Sequence, residues 1–208
     1  MSEIFLKSSN LSLGYSNQIV IKGLDIQLSF INDYQIIGKN GAGKTTLMNF
    51  IALNFDGSYF ESKVNRSQIS INQISSTSTL IQELTLSENI DYYTSETSLA
   101  SEEKLNIVFK YLPEDYLNEK IKSFSSGMLR RAELSIIEIK SPLVFCIDEP
   151  LNFLDSEGVL LLANLIKDRS IANKCNILSS QEFVDFEGLE FEAFSYTHLR
   201  AHETSIDL

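Results

Sequence analysis

The sequence lacks the features of a membrane-spanning or disulfide-stabilised protein. No run approaches the roughly 18 apolar residues needed to cross a bilayer, and the mean hydropathy is -0.03. The only two cysteines, Cys146 and Cys175, lie in apolar strand-like runs, where a reduced thiol packs as a small core residue. The start of the chain has neither the basic nor the apolar region of a secretory signal. We therefore expect a cytosolic protein.

Positive charge is also scarce. The 208 residues include 17 Lys and Arg against 28 Asp and Glu, which gives a formal net charge of -11. The most basic local feature is the pair Arg130-Arg131. Proteins that act on nucleic acids need a positive surface to hold phosphates, so we expect no nucleic-acid partner. With 43% hydrophobic and 22% charged residues, the composition instead suits one globular domain or a domain with a small insertion.

A glycine-rich segment carries the strongest chemical signal. Residues 38–45 read Gly-Lys-Asn-Gly-Ala-Gly-Lys-Thr, the pattern of a phosphate-binding loop. An apolar run ending at Ile37 precedes the segment, and Leu47, Phe50 and Ile51 follow it at the spacing of a buried helical stripe. The backbone N–H groups of such a turn and the positive end of the helix form an anion site. The segment therefore predicts a nucleotide site.

Residues of this loop have separate expected roles. Lys44 is expected to reach the β and γ phosphates of ATP, and the Thr45 hydroxyl to be a ligand of Mg²⁺. The expected nucleotide-contacting residues are Gly38, Asn40, Gly41, Ala42, Gly43, Lys44, Thr45 and Thr46. The alternative is a glycine-rich turn without a ligand, which the strand and helix context disfavours.

Two adjacent carboxylates give a second signal. Residues 143–147 are continuously apolar, as in a strand buried on both faces, and Asp148-Glu149-Pro150 follow them. Beside a phosphate loop, we expect Asp148 to hold Mg²⁺ through water and Glu149 to polarise the attacking water. The alternative is a pair of acids that cap a strand.

Hydrophobic periodicity predicts the elements around these motifs. Short β-forming segments in the first 35 residues predict a meander of short antiparallel strands, and Phe30-Ile31 with residues 34–37 predict a strand leading into the loop. From Leu80 to about Ser123 the pattern is helical. The apolar stripe there consists of Leu105, Val108, Phe109 and Leu112. Further strands are predicted at 58–64, 68–73 and 175–179, and further helices at 126–139 and 156–168.

The motifs, taken in this order, resemble those of the nucleotide-binding domain of ATP-binding cassette (ABC) proteins over nearly the whole chain. Residues 124–128, Phe-Ser-Ser-Gly-Met, are similar to the family's Leu-Ser-Gly-Gly-Gln signature, and Leu154-Asp155 to its D-loop. The resemblance implies an α/β fold of the P-loop NTPase class and ABC type. That fold has a mixed β-sheet core, an antiparallel β subdomain and an inserted helical subdomain at about 80–127.

The resemblance also implies a second subunit. Ser125 and Gly127 stand at the start of a predicted helix, where a hydroxyl and free N–H groups form another anion site. In the family this signature closes on the ATP of the partner in a head-to-tail dimer. Ser125 as a mere helix cap is the alternative.

Three further residues stand at positions that have a role in the family pattern. Tyr15 stands where an aromatic stacks on adenine; a strand aromatic in the meander is the alternative. Gln73 is expected to sense Mg²⁺ and contact the transport partner, in preference to Gln82, because Gln73 ends a predicted strand. Gln181 replaces the family's switch histidine; it can donate a hydrogen bond but cannot be cationic. We therefore predict slow hydrolysis.

The C-terminal segment has a different interpretation. His198 and His202 have the i, i+4 spacing of a metal pair, but no third ligand is evident. The stretch resembles a translation of sequencing-adapter DNA, so we interpret 1–194 as the ABC ATPase domain and 195–208 as a non-native tail.

The expected function is that of an ATP-hydrolysing subunit of an ABC transporter. The resemblance implies ATP and Mg²⁺ as cofactors, a second ABC ATPase subunit, and polytopic membrane permease subunits that hold the protein at the inner face of the cell membrane. The Ser126 and Met128 variant of the signature favours export. Two alternatives remain: a soluble ABC regulator of ribosomes or DNA, and a degenerate nucleotide-binding partner in a heterodimer, which Gln181 suggests.

Overall fold

Within residues 4–16, 18–66 and 69–195, which the computed structural model describes, the chain forms eight strands and five α-helices. The elements are β1 (Ile4–Tyr15), β2 (Gln18–Ser29), β3 (Tyr34–Ile37), α1 (Lys44–Ile51), β4 (Ser58–Arg66), β5 (Ile71–Ile74), α2 (Leu86–Tyr93), α3 (Ser101–Tyr111), α4 (Ser126–Lys140), β6 (Val144–Asp148), α5 (Ser156–Ile171), β7 (Cys175–Ser180) and β8 (Glu192–Ser195). Two short 3₁₀ turns lie between α3 and α4. None of these helices has the length and apolar content needed to cross a bilayer.

A five-stranded parallel sheet forms the centre, with strand order β5-β6-β7-β3-β8. Strands β6 and β7 are buried along their whole length. Because side chains alternate across a strand, Val144 and Cys146 pack towards α1 and the antiparallel sheet. Phe145 and Ile147 pack towards α4 and α5 on the other face. The carboxyl ends of β3, β6 and β7 therefore meet at one edge, and the predicted motifs follow those ends.

The antiparallel strands form a separate sheet of order β2-β1-β4. The expected fold class is confirmed, including the separate antiparallel sheet, although the described strands of the core sheet are all parallel rather than mixed. The predicted meander of short strands was wrong: β1 and β2 are two 12-residue strands. Register shifts interrupt their pairing near Asn10 and Gly23, whose φ angles are 52° and 66°. Such bulges place turn-type residues inside a strand.

The connection into the loop also differs from the prediction. Phe30 and Ile31 lie in a turn, and only residues 34–37 form the strand before the loop. The Tyr34 hydroxyl accepts a hydrogen bond from the Ser29 N–H at 2.8 Å, which closes this turn against the sheet.

The inserted helical segment packs around α4. Its core joins α2, α3 and one face of α4 through Ile90, Val108, Ala132 and Ile136, as the helical pattern predicted. The stripe predicted for α3 was wrong at Phe109, which is 37% exposed. Tyr111 is buried instead, since its ring packs against Leu134 and Ile137 of α4, and its hydroxyl donates a hydrogen bond to Glu138 of α4 at 2.6 Å.

The last described strand ends at the boundary of the predicted tail. β8 pairs with β3 in parallel, and its last residue, Ser195, is the partner of Ile37. Ser195 is the first residue of the stretch that we interpreted as non-native. His198 and His202 lie outside the described residues.

Candidate functional site

The phosphate-binding-loop segment connects the end of β3 to the start of α1. The Gly38 N–H donates to the Ser180 carbonyl at 3.1 Å, which joins the loop to the end of β7. Gly41 and Gly43 have φ angles of 78° and 93°, a region in which residues with a Cβ are strained. Gly43 is the N-cap of α1, and no side chain caps this helix end. The first N–H groups of α1 are thus directed at a concave, anion-binding turn.

Lys44 places a buried ammonium at the centre of this turn. Its side chain is 6% exposed, and its Nζ donates to the Gly38 carbonyl at 2.8 Å. The same nitrogen lies 3.1 Å from Glu149 Oε1. The lysine predicted to bind phosphates and the carboxylate predicted to polarise water therefore form one ion pair.

Asp148, at the end of β6, lies beside Thr45. The Thr45 hydroxyl donates to Asp148 Oδ2 at 2.7 Å, and the Ser179 hydroxyl of β7 donates to Asp148 Oδ1. Asp148 is 2% exposed. Its carboxylate is fixed between β7 and α1 because it accepts hydrogen bonds from Ser179 and Thr45. A hydroxyl and a carboxylate in contact are the hard oxygen donors that Mg²⁺ prefers, and Mg²⁺ sites with phosphate ligands need only one or two protein groups. This donor set fits Mg²⁺.

These groups line one cleft of about 310 Å³. Its lining residues are Val20, Asn40, Gly41, Ala42, Gly43, Lys44, Thr45, Thr46, Ser76, Asp148 and Glu149. Most residues predicted from the two motifs thus meet in one place. Val20 and Ser76 were missed. Val20 belongs to no recognisable motif. Ser76 follows the end of β5 by two residues, so its position after a strand could have predicted it.

The structure does not bring Gln73 to this cleft. The strand ends at Ile74 rather than at Gln73. The amide of Gln73 donates to Asn49 Oδ1 and accepts from Asn54 Nδ2, both at 2.9 Å. Since Asn49 is one turn of α1 beyond Thr45, Gln73 contacts the far half of that helix. Ser76 occupies the place at the cleft that we had expected Gln73 to take.

Gln181 follows β7 and lies in a neighbouring groove. This groove is lined by residues 149–152 and 180–185, and the side chain of Gln181 is exposed. Glu149 belongs to both the cleft and the groove. Its φ of 49° is a sparsely populated conformation for a residue with a Cβ, and it is held by a hydrogen bond from its N–H to the Ser179 carbonyl at 3.0 Å.

Tyr15 lies at the end of β1, outside the lining of the cleft. Its ring is 38% exposed and packs at 5.5 Å, centroid to centroid, against the ring of Phe55 with a 60° tilt. Val20, on the strand that pairs with β1, lines the cleft instead. A flat apolar group entering at the β1–β2 end would meet both strands.

Ser125 and Gly127 also lie outside the cleft of their own chain. Ser125 is the N-cap of α4, and its hydroxyl accepts from the Met128 N–H at 3.3 Å. A Cβ on Gly127 would lie 3.2 Å from the Phe153 carbonyl, so the glycine permits the start of α4 to approach the loop that follows Glu149. One chain therefore has two helix N-termini of this kind, one at the cleft and one outside its lining.

Comparisons with known proteins agree with this geometry. A sequence model described as ABC transporter matches residues 21–152. The lantibiotic transport ATP-binding protein SrtF of Streptococcus pyogenes is 26% identical over 201 residues, which cover 92% of this chain and 86% of that protein.

Other relatives have names that state opposite directions of transport. An Fe(3+) ions import ATP-binding protein of Fusobacterium nucleatum is 23% identical over 78% of this chain and 47% of its own length. A cytochrome c biogenesis ATP-binding export protein of Vibrio vulnificus is 25% identical over 78% of this chain and 85% of its own length.

Solved structures share the fold. A putative ABC transporter ATP-binding protein from Pyrococcus furiosus superposes with a TM-score of 0.77 at 18% identity, covering 93% of this chain and 98% of that one. The cassette MJ0796, described as a dimeric post-hydrolysis state bound to ADP and Pi, superposes with a TM-score of 0.73 at 20% identity, over 85% and 88% of the two chains.

Proposed function

This chain belongs to the ABC transporter family, and on that premise we propose that it is the subunit that binds and hydrolyses ATP to drive transport. The observation that carries the proposal is the meeting of Lys44, Thr45, Asp148 and Glu149 in one cleft. These are the groups that phosphoryl transfer to water requires: a cation for the phosphates, oxygen ligands for Mg²⁺, and a carboxylate for the nucleophile.

The mechanism follows from the Lys44–Glu149 ion pair. Phosphates bound at the loop become the counter-ion of Lys44, so Glu149 is released to hold and orient a water molecule. That water attacks the γ-phosphorus of ATP while Glu149 accepts its proton, the bond between the γ-phosphorus and the β–γ bridging oxygen breaks, and ADP and phosphate are formed. Thr45 and Asp148 would hold Mg²⁺, which neutralises charge on the phosphate oxygens. We assign contacts with the adenine base to Val20, which lines the cleft, and to Tyr15 at the end of the neighbouring strand.

We assign the second half of the site to another ATPase subunit. Ser125 and Gly127 do not line the cleft of their own chain, so we assign them to a nucleotide held in the cleft of a partner. Excess ATP should therefore produce a dimer of the Glu149→Gln variant, because the variant keeps the loop but removes the carboxylate that orients water. A monomer by light scattering under those conditions would count against the two-chain site.

The membrane partners are separate polytopic permease subunits, and they would hold this chain at the inner face of the membrane. We propose export as the direction, on the Ser126 and Met128 variant of the signature alone, since the names of the relatives include both directions. The test is copurification in detergent with the product of an adjacent membrane-protein gene, followed by ATP-dependent transport in vesicles. Accumulation of substrate on the cytoplasmic side, where an importer delivers it, would refute export.

A second candidate is a nucleotide-binding partner with little turnover, which two observations favour. Ser76 lies in the cleft where Gln73 was expected, and the neutral Gln181 lies in the groove next to Glu149. Single-turnover assays separate the two candidates. Binding of ATP without release of phosphate over many minutes would support the second, whereas release that is abolished in Glu149→Gln would support the first.

A further inference from the structure

A buried ion pair on α4 holds the segment that carries Ser76. Arg130 and Glu133 are one helical turn apart, with Nη1 3.1 Å from Oε2, and their side chains are 4% and 8% exposed. Both terminal nitrogens of Arg130 donate to the Ser75 carbonyl at 3.1 Å. The Glu133 carboxylate accepts hydrogen bonds from Ser78 and from the Thr79 backbone. The pair thus holds both ends of the segment 75–79 through hydrogen bonds.

Burying the charges of Arg130 and Glu133 costs free energy, so the ion pair is best explained by the contact that it makes between two elements. Burial lowers the pKa of Arg130 and raises the pKa of Glu133, because removing a charge from water is opposed on either residue. Apolar side chains at these positions would avoid that penalty. Buried ion pairs retained in such places serve best to fix one register between two elements. Here the elements are α4 and the segment between β5 and the helical insertion.

One peptide bond separates the residue that Arg130 holds from a residue that lines the cleft. Arg130 holds the carbonyl of Ser75, and a planar peptide bond joins that carbonyl to Ser76. Ser76 lines the cleft together with Thr45 and Asp148. Ser76 is therefore a further hydroxyl-bearing residue of the cleft, and its peptide bond to Ser75 ties its position to α4.

The same arginine also contacts the loop that follows Glu149. Its guanidinium lies 5.8 Å from the centroid of the Phe153 ring, in the loop that follows Glu149. The Phe153 carbonyl in turn lies against Gly127. The first two turns of α4 therefore touch both segments that border the cleft.

We propose that Arg130 and Glu133 are positioning residues that set Ser76 for Mg²⁺-dependent nucleotide binding and tie it to the helix that begins with Ser125 and Gly127. This inference rests on the proposed function, since it concerns the same cleft. It assigns to Ser76 the task that the sequence had suggested for Gln73.

The test compares nucleotide affinity with and without Mg²⁺. The double variant Arg130→Met/Glu133→Leu removes the pair without leaving an unpaired charge, and Lys110→Met/Glu138→Gln is the matched control. The control removes another α4 ion pair, of 2.5 Å, and leaves Tyr111 an acceptor. Titration with fluorescent mant-ATP should show about tenfold weaker binding of the double variant in Mg²⁺, as for loss of an outer metal partner, and unchanged binding in EDTA. The control should match the wild type in both conditions.

Ser76→Ala completes the test. Because Ser76 is exposed, this variant should fold, and it should show the same Mg²⁺-specific loss. In the background of the double variant it should add nothing, since both changes remove one interaction. Equal losses with and without Mg²⁺, full additivity, or an unchanged Ser76→Ala variant would overturn the inference while leaving the proposed function intact. A wild type that binds no mant-ATP would overturn both.

Discussion

Glu149→Gln should tighten the binding of nucleotide by the unmodified loop. In the structure Glu149 is the carboxylate partner of Lys44 at 3.1 Å, so bound phosphates have to compete with it. The variant keeps an oxygen that accepts a hydrogen bond but removes the charge. Lys44 then has no anionic competitor, and the free protein loses an ion pair.

The magnitude follows from distance and exposure. At 3.1 Å, an effective dielectric constant of about 20 gives a direct attraction of about 5 kcal/mol. Desolvation of the buried Lys44 cancels much of this, while Glu149, 20% exposed, remains partly hydrated. We therefore take a net value of about 1–2 kcal/mol, which corresponds to about 5- to 30-fold in affinity. The same free energy should appear as a Tm lower by about 2–8 °C without nucleotide.

The assay is titration with mant-ADP, which has no γ-phosphate to bridge two subunits, so closure of a dimer does not inflate the affinity. Glu182→Gln is the control, because it makes the same charge change in the adjacent groove, where Glu182 is exposed. Stronger binding by Glu149→Gln alone, together with its lower Tm, would support the competition. Weaker or unchanged binding would show that the ion pair does not oppose phosphate, and the release of Glu149 would have to be abandoned.

Three other outcomes are expected. Gln181→His should raise steady-state ATP turnover, because a histidine at the position proposed to face the γ-phosphate can be cationic. Unchanged phosphate release by the purified variant would show that position 181 does not have the role of the switch histidine. Gly43→Ala should weaken ATP binding and lower stability by about 1 kcal/mol, measured by urea unfolding, because the φ of Gly43 is 93°; a wild-type urea midpoint would contradict the strain. Asp155→Ala should lower the Tm by about 2–4 °C, since Asp155 caps α5 through the Gly158 N–H. Arg131 and that cap lower the pKa of Asp155 below its ordinary 3.8, so its stabilisation is present above pH 3.8 and lost as pH falls below it; a Tm difference that persists unchanged at pH 2 would refute the linkage.

Local chemistry explains which parts of the site were predictable. The turn from Gly38 to Lys44 requires glycine at particular φ angles, and Asp148 ends a strand that is buried on both faces. Both features depend on residues that are close in sequence. The 12-residue strands β1 and β2 were divided wrongly because Asn10 and Gly23 are turn-type residues that occupy bulges rather than turns.

Packing explains the rest. Arg130 and Arg131 are adjacent and chemically identical, yet Arg130 is 3% exposed while Arg131 reaches Asp155 and Glu157 at the surface. No local pattern distinguishes them, because the difference is set by residues 75–79 on a distant element. Gln73 lies outside the cleft lining for a related reason: the strand ends at Ile74, one residue later than predicted, and Ser76 is the residue of this segment that lines the cleft.

The site retains its binding groups more fully than its hydrolytic ones, and this difference has a structural basis. Lys44, Thr45 and Asp148 are each held by at least one hydrogen bond or ion pair to a neighbouring element. Both departures from the expected pattern, Ser76 and Gln181, instead lie on either side of Glu149, at the wall of the cleft and in the adjacent groove. The proposed phosphate site therefore keeps its loop residues, while the water that Glu149 is proposed to hold would have Ser76 in place of a longer glutamine in the cleft and a neutral amide, Gln181, in the adjacent groove. Slow hydrolysis with ordinary nucleotide affinity is the behaviour that this arrangement favours.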